Sequence, residues 1–252
     1  MLLFGLTNRI LARIATKVCC AFPHAFKENI KAQVVGNPLR ASIGKEHSEK
    51  KIVPETIEEE TEKTSHNILV IGGSLGAQIL NITVPQSFAA LVKKGNANND
   101  LQPFRIWHQT GKGNESSVIE AYNQQELADG QVRVTAFIDD IADAYQWADI
   151  VICRAGALTV SELAMAAKPA IFVPLPHAVD DHQTKNAQYI VSRGGAVLMK
   201  QKDLTSELLA EQLNTLFSEP SILPSMAQSA FAAADAEATH KVAAICQQLV
   251  AA

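Results

Sequence analysis

The sequence predicts an α/β fold: a doubly wound parallel sheet with helices on both faces. Three observations predict it. From residue 68 onward, short apolar or β-branched runs of strand length take turns with stretches of helical period. Most of the runs are apolar at successive positions rather than at every second one, as strands buried on both faces are. The glycine-rich and polar segments follow the runs, where open α/β sheets bind their ligands.

In chain order, residues 6–18 carry Leu6, Ile10, Leu11, Ile14 and Val18 at helical spacing, with Thr7 or Asn8 able to cap the start. Residues 18–22 and 33–35 read as short buried strands, the second running into the turn signal Gly36-Asn37-Pro38. The segment 45–66 is dense in Glu and Lys and poor in apolar residues, so it cannot offset its ordering entropy by burial and is expected to be a mobile charged loop. The alternation follows, with strands expected at 68–71, 104–108, 132–135, 150–153, 170–173 and 196–198. Helical period marks 115–127, 141–147, 159–167 and 184–192. From Leu204 the tail is helical: 204–217, a segment started by Pro220, and 237–250 with Val242, Ile245 and Leu249 on one face.

The composition is that of an ordinary globular protein: 252 residues, 47% hydrophobic and 19% charged, with a formal net charge of −4. No basic excess is available to release counterions from a phosphate backbone, so nucleic acid is an unsuitable partner. No apolar run reaches the roughly 18 residues that span a bilayer, and Met1-Leu2-Leu3-Phe4-Gly5 is too short for a signal peptide. Cys19, Cys20, Cys153 and Cys246 show no C-x-x-C spacing and read as reduced, buried thiols.

Three segments carry chemistry. In Ile68-Leu69-Val70-Ile71-Gly72-Gly73-Ser74-Leu75-Gly76-Ala77 a strand runs into a glycine turn and then a helix, an arrangement that lets a phosphate approach backbone N–H groups. The dinucleotide fingerprint does not fit, since it needs glycine where Ile71 stands, and Lys93-Lys94 occupy the place of the acidic ribose ligand. The turn does match G-x-S-x-G, which keeps a serine hydrolase built on Ser74 as an alternative; no HGGG-type oxyanion loop precedes it. The second segment, Arg154-Ala155-Gly156-Ala157-Leu158-Thr159-Val160-Ser161-Glu162, again precedes a helix. Glu162 can accept two sugar hydroxyl hydrogens there, although a carboxylate in a first helical turn also suits the helix dipole with no ligand. The third is the polar loop Pro174-Leu175-Pro176-His177 with Asp180-Asp181-His182-Gln183 and Asn186, suited to sugar hydroxyls; its Asp and His residues have no spacing that enforces a metal geometry.

These segments, with Trp107-His108-Gln109-Thr110-Gly111-Lys112-Gly113, Phe137-Ile138-Asp139-Asp140 and Asp181-His182-Gln183-Thr184-Lys185-Asn186-Ala187, occur in the order seen in the MurG family. That family comprises the bacterial N-acetylglucosaminyltransferases that make lipid II from lipid I. The resemblance continues upstream through Gly5-Leu6-Thr7-Asn8, Ala15-Thr16-Lys17-Val18, Ala21-Phe22-Pro23 and Val35-Gly36-Asn37-Pro38-Leu39-Arg40, and leaves out only the 45–66 segment.

The resemblance implies an inverting hexosyltransferase of the GT-B architecture, with this chain as its C-terminal, Rossmann-like donor-binding half. It implies that Ser74 contacts the donor diphosphate, Ile138 meets the uracil through its backbone, and Ala157, Leu158, Thr159, Val160 and Ser161 wrap the phosphates. Glu162 then binds the ribose hydroxyls, Arg40 lies at the hinge and Gln183 faces the sugar. The implied partners are UDP-N-acetylglucosamine (UDP-GlcNAc), undecaprenyl-linked lipid I, the cytoplasmic face of the membrane and cell-wall synthesis proteins; no cofactor or metal is implied. Residues 1–35 correspond to a remnant of the acceptor domain, 36–236 to the donor domain and 237–252 to a crossover helix. The acceptor site and the general base belong to the family's N-terminal domain, so the resemblance also allows a catalytically inactive nucleotide-sugar binding module. Two departures are small: Leu75 replaces the family's usual glutamine, and Ala155 stands where some members have serine.

Overall fold

Neighbouring residues of the central strands face opposite hydrophobic layers. Ile68 and Val70 of β3 (His66–Ile71) join one apolar cluster while Leu69 joins the other, and Ile150 and Ile152 of β6 (Ile150–Cys153) are separated in the same way from Val151 and Cys153. Because side chains alternate across a pleated strand, a stretch buried on both faces must be apolar throughout, as 68–71 and 150–153 are. The computed structural model describes residues 6–23, 25–26, 30–44, 65–98, 103–176 and 181–251. Of the charged segment 45–66 only Ser65 and His66 are among them, so the expected loop lies outside the described residues, as do His177 and Asp180.

The main sheet has six strands, all parallel: β3, β4 (Phe104–Gln109), β5 (Val132–Thr135), β6, β7 (Ala170–Phe172) and β8 (Ala196–Leu198). Its spatial order is β5-β4-β3-β6-β7-β8, so the chain winds outward one way from β3 and then restarts beside it at β6. Such a reversal leaves a crevice beyond the C-terminal ends of β3 and β6, where doubly wound sheets bind ligands. The register pairs Ile71 with Cys153, so Gly72 and Arg154 leave the sheet side by side.

One layer contains α2 (Gln78–Asn98), α3 (Glu115–Asn123) and α7 (Ser206–Ser218), joined by Met226 of α8 (Ile222–Ala232). The other contains α4 (Ile141–Trp147), α5 (Ala157–Met165) and α6 (His182–Val191), with Ala230 of α8 packed against it. The termini of α4 and α7 follow from their caps: Asp140 accepts from the N–H groups of Ala142 and Asp143, and Thr205 from that of Leu208.

Ahead of the sheet, α1 (Leu6–Ile14) precedes a separate parallel pair, β1 (Val18–Cys20) with β2 (Ala32–Val34). This unit joins the main body where Phe22 meets Tyr189 of α6, ring centroids 5.0 Å apart, and where Gly36 abuts Asp235 and Ala238 at the start of α9 (Ala238–Val250). Apolar surface stays uncovered here: Ile14 is 77% exposed, Ile10, Leu11 and Val34 are exposed too, and so are Leu249 and Val250 at the end of α9. The expectation of buried thiols holds for Cys20 and Cys153, whereas Cys19 and Cys246 are exposed; all four are free. Cys19 fails it because alternation along the short strand β1 turns its side chain outward. Among the described residues no helix is long and apolar enough to cross a membrane.

Candidate functional site: a crevice at the sheet reversal

The turn after β3 is held by its neighbour strand. Gln109, the last residue of β4, is 3% exposed. Its Oε1 accepts the N–H of Gly73 at 3.0 Å, while its Nε2 donates to the carbonyl of Gly73 at 3.0 Å and to that of Ala136 at 2.8 Å. One amide thus fixes both sides of the Gly73 residue and ties it to the segment leaving β5. Gly76 requires glycine twice over: its φ of +74° is left-handed, and a Cβ would run into the carbonyl of Thr110. Ser74 and Leu75 project from this turn, Leu75 at 91% exposure.

Behind the turn lies a polar chain inside the apolar layer. His108 Nδ1 pairs with the Tyr122 hydroxyl at 3.0 Å and Nε2 with Asn81 Oδ1 at 3.1 Å, and Asn81 Nδ2 donates to the carbonyl of Thr110. Burial holds the imidazole neutral, its pKa pushed down to about 3.

After β6, Gly156 adopts an extended conformation and contributes no side-chain cap to α5. The N–H groups of Ala157, Leu158 and Thr159 have no acceptor within the helix, as in any first turn, and the positive end of the helix dipole faces the crevice. Val160 is committed elsewhere: its N–H donates to Gly156 O at 2.9 Å and its side chain is buried. The Ser161 hydroxyl donates to Ala157 O at 3.0 Å and accepts from Asn37 Nδ2 at 2.9 Å, which fastens the 35–40 segment to the helix start.

Glu162 is half-buried. The Tyr145 hydroxyl donates to its Oε2 at 3.0 Å. Burial pushes the Glu162 carboxyl up from its usual range, opposed by the Tyr145 hydrogen bond and by the positive charge of Arg40. After β7, Gln183 Oε1 accepts the N–H of Leu175 at 2.9 Å and that of Ala155 at 3.3 Å, leaving its Nε2 hydrogens unclaimed among the described residues. Asn186 donates to Ala155 O, and Arg154 donates to the carbonyls of Val173 and Pro174, so the ends of β6 and β7 are braced together.

The fold has counterparts in known proteins. The model of the glycosyltransferase family 28 C-terminal domain matches residues 67–245. The chain belongs to glycosyltransferase family 28. Among curated relatives of this family-28 chain is the UDP-N-acetylglucosamine–N-acetylmuramyl-(pentapeptide) pyrophosphoryl-undecaprenol N-acetylglucosamine transferase of Colwellia psychrerythraea, 57% identical across 97% of this chain and 60% of the relative. The enzyme of the same name from Pseudoalteromonas translucida is 46% identical across 97% of this chain and 63% of its own length. The crystal structure of Acinetobacter baumannii MurG superposes with a TM-score of 0.75 at 36% identity, covering 97% of this chain and 64% of that one. The chain therefore spans about three-fifths of the length of the curated relatives it matches.

Within this family-28 domain, the residues singled out from sequence fall at one end of the sheet. Ser74 follows β3, Ile138 follows β5, Ala157 to Glu162 open α5 after β6, and Gln183 lies in the first turn of α6. Arg40 reaches them through its charge on Glu162. Ile138 is buried, so what it offers a ligand is backbone. The hydrolase alternative loses its ground: Ser74 makes no hydrogen bond to a histidine among the described residues, and α2 begins only at Gln78, past the position a nucleophile elbow needs. Nor, among the described residues, do three His, Cys, Asp or Glu side chains gather as metal ligands would. Sequence reasoning missed Tyr145, Gln109 and Asn37 as site residues. A tyrosine on the buried face of a short helix carries a hydroxyl that needs a partner, and that was the available signal for Tyr145.

Proposed function

We propose that the crevice binds UDP-GlcNAc and that the chain supplies the donor-binding part of an inverting transferase converting lipid I to lipid II. The observation that carries the reading is the uncapped start of α5 with Glu162 one turn further on: first-turn amides for a diphosphate, then a carboxylate that can accept from a ribose diol. The Nε2 hydrogens of Gln183 suit sugar hydroxyls, and the backbone around Ile138 suits a uracil edge. The names of the Colwellia and Pseudoalteromonas relatives support the choice of sugar and acceptor.

In the reaction, an acceptor hydroxyl oxygen bonds to the anomeric carbon from the face opposite the diphosphate while the bond from that carbon to the UDP oxygen breaks. The hydroxyl proton passes to a base and the configuration inverts. The role of this chain is to stabilise the charge growing on the departing diphosphate with the α5 amides and dipole, groups already oriented before the reaction begins. The 1–35 segment, in which Ile10, Leu11, Ile14 and Val34 are exposed, is read as a remnant of the acceptor domain, 36–236 as the donor domain and 237–252 as a crossover helix. The chain works on the inner face of the cell membrane as a peripheral protein, alongside other cell-wall synthesis proteins.

Calorimetric titration of the purified chain with UDP-GlcNAc, with ADP-glucose as control, tests the reading. Saturable binding of the uridine sugar that Glu162→Ala weakens is expected. No heat from a folded chain, or equal binding of both sugars, would overturn it.

A further inference from the structure

We propose that Tyr145 is a positioning residue for the ribose-binding carboxylate: its hydroxyl occupies one oxygen of Glu162 and turns the other toward the ligand. This rests on the donor-binding reading above. Tyr145 is 2% exposed and sits on α4, whose start is pinned by the Asp140 cap. A buried phenol has one proton to donate and pays a desolvation cost if that proton finds no acceptor. Here the proton goes to Glu162 Oε2 at 3.0 Å, across from one helix to another. A carboxylate on a flexible stem would otherwise sample several rotamers. Held at Oε2, it presents Oε1 in one direction, which is what a vicinal diol requires of a preorganised acceptor.

The groups facing Glu162 are the Tyr145 hydroxyl from α4, the Arg40 guanidinium from the segment after β2 and the Cys153 thiol at the end of β6. The hydroxyl donates to the charged carboxylate and so favours it, against the burial that disfavours it. Removing the hydroxyl while keeping the ring must move protonation of Glu162 to higher pH. Since a protonated Glu162 cannot accept both ribose hydroxyl hydrogens as the carboxylate does, nucleotide binding then weakens at a higher pH as well.

The test is UDP affinity by calorimetry between about pH 5 and 8 for the parent, Y145F, E162Q and the double variant, with thermal unfolding recorded for each. Y145F is expected to weaken UDP about three- to tenfold at pH 7, to move the acid limb of the binding profile to higher pH, and to add nothing in the E162Q background. A Y145F protein that matches the parent in affinity and profile overturns the proposal. So does an equal loss in the E162Q background, which would mean that Tyr145 acts only through packing. If E162Q binds UDP as the parent does, or the parent does not bind UDP, the donor-site reading falls and this inference with it; if E162Q is weak and Y145F is normal, this inference alone falls. Should Y145F not fold, 3-fluorotyrosine at position 145, a stronger donor of the same shape, must move the acid limb to lower pH, and an unmoved limb is equally decisive.

Discussion

Replacing Gln109 by leucine keeps the side-chain volume and removes three hydrogen bonds at once, those to Gly73 N–H, Gly73 O and Ala136 O. At about 1 kcal/mol net for each, the ceiling is about 3 kcal/mol. Gly73 is exposed, so water takes over part of its two bonds, whereas the half-buried Ala136 carbonyl is harder to reach. A loss of about 2 kcal/mol results, and for a chain of this size that lowers the melting temperature by roughly 4–8 °C. The functional effect is separate from the stability effect. Gly73 precedes Ser74 and Ala136 lies two residues before Ile138, so the same side chain sets the spacing between the expected diphosphate and uracil contacts. Differential scanning calorimetry gives the first quantity, and UDP titration at a temperature where both proteins are fully folded gives the second. We expect UDP to bind about three- to fivefold more weakly, a misplacement effect of under about 1 kcal/mol. A Q109L protein that melts within about 1 °C of the parent would show that the three bonds are readily replaced. Unchanged UDP affinity would show that the two loops keep their spacing without the amide.

Gly76→Ala places a methyl group against the Thr110 carbonyl at a left-handed φ, so the two turns must separate; about 2–4 kcal/mol of stability should be lost in urea unfolding, and an unchanged midpoint would refute the contact. His108 is neutral in the folded chain with its pKa pushed down to about 3, below the value of about 6.5 in an unfolded chain. Its contribution to stability is therefore complete above about pH 6.5 and is lost progressively as pH falls toward 3, because only the unfolded chain takes up the proton in that window. Nitrogen chemical shifts of a neutral ring at pH 5 in the folded protein are expected, and those of an imidazolium at that pH would contradict the buried pairing with Tyr122 and Asn81.

The central strand β6 was readable because burial on both faces leaves a continuous apolar run, 150–153; the edge strands β5 and β8 also coincide with 132–135 and 196–198, where β5 (Val-Arg-Val-Thr) shows β-branched residues around an exposed Arg133 instead. Helix starts were read two residues late at α5 and α6. Gly156 in an extended conformation and Asp181 in a left-handed one launch these helices at Ala157 and His182, and neither carries the side-chain cap that usually marks a start. The helix expected to run to residue 127 ends at Asn123, and Leu127 instead packs against the core from the following turn. The length of α2 was hidden because it contains Pro85 and β-branched Ile82, Thr83 and Val84, poor helix formers; Thr83, Val84 and Pro85 are buried in a helix that packs on α7, while Ile82 is exposed. The candidate site divides in the same way. Turns and helix starts at strand ends are visible as glycines and hydroxyl residues, so the segments proposed for phosphate and ribose were legible as places in the fold. The bracing was not: Gln109 falls just past the strand expected at 104–108 and Tyr145 inside the helix expected at 141–147, and a hydrogen bond between distant elements leaves no period in the sequence.

The mutual intrusion of Gly76 and Gly111 bears on portability. A Cβ on Gly76 would meet Thr110, and one on Gly111 would meet Gly76 and Leu75, so each turn is the mould of the other. The Gly72–Ala77 string alone is therefore not a transferable cassette. Grafted onto another sheet it would lack both the amide that clamps Gly73 and the carbonyl against which Gly76 closes. The smallest unit that can be transplanted is two adjacent strands with both of their exits, and a directed-evolution library that randomises one exit while holding the other fixed will sample mostly misfits.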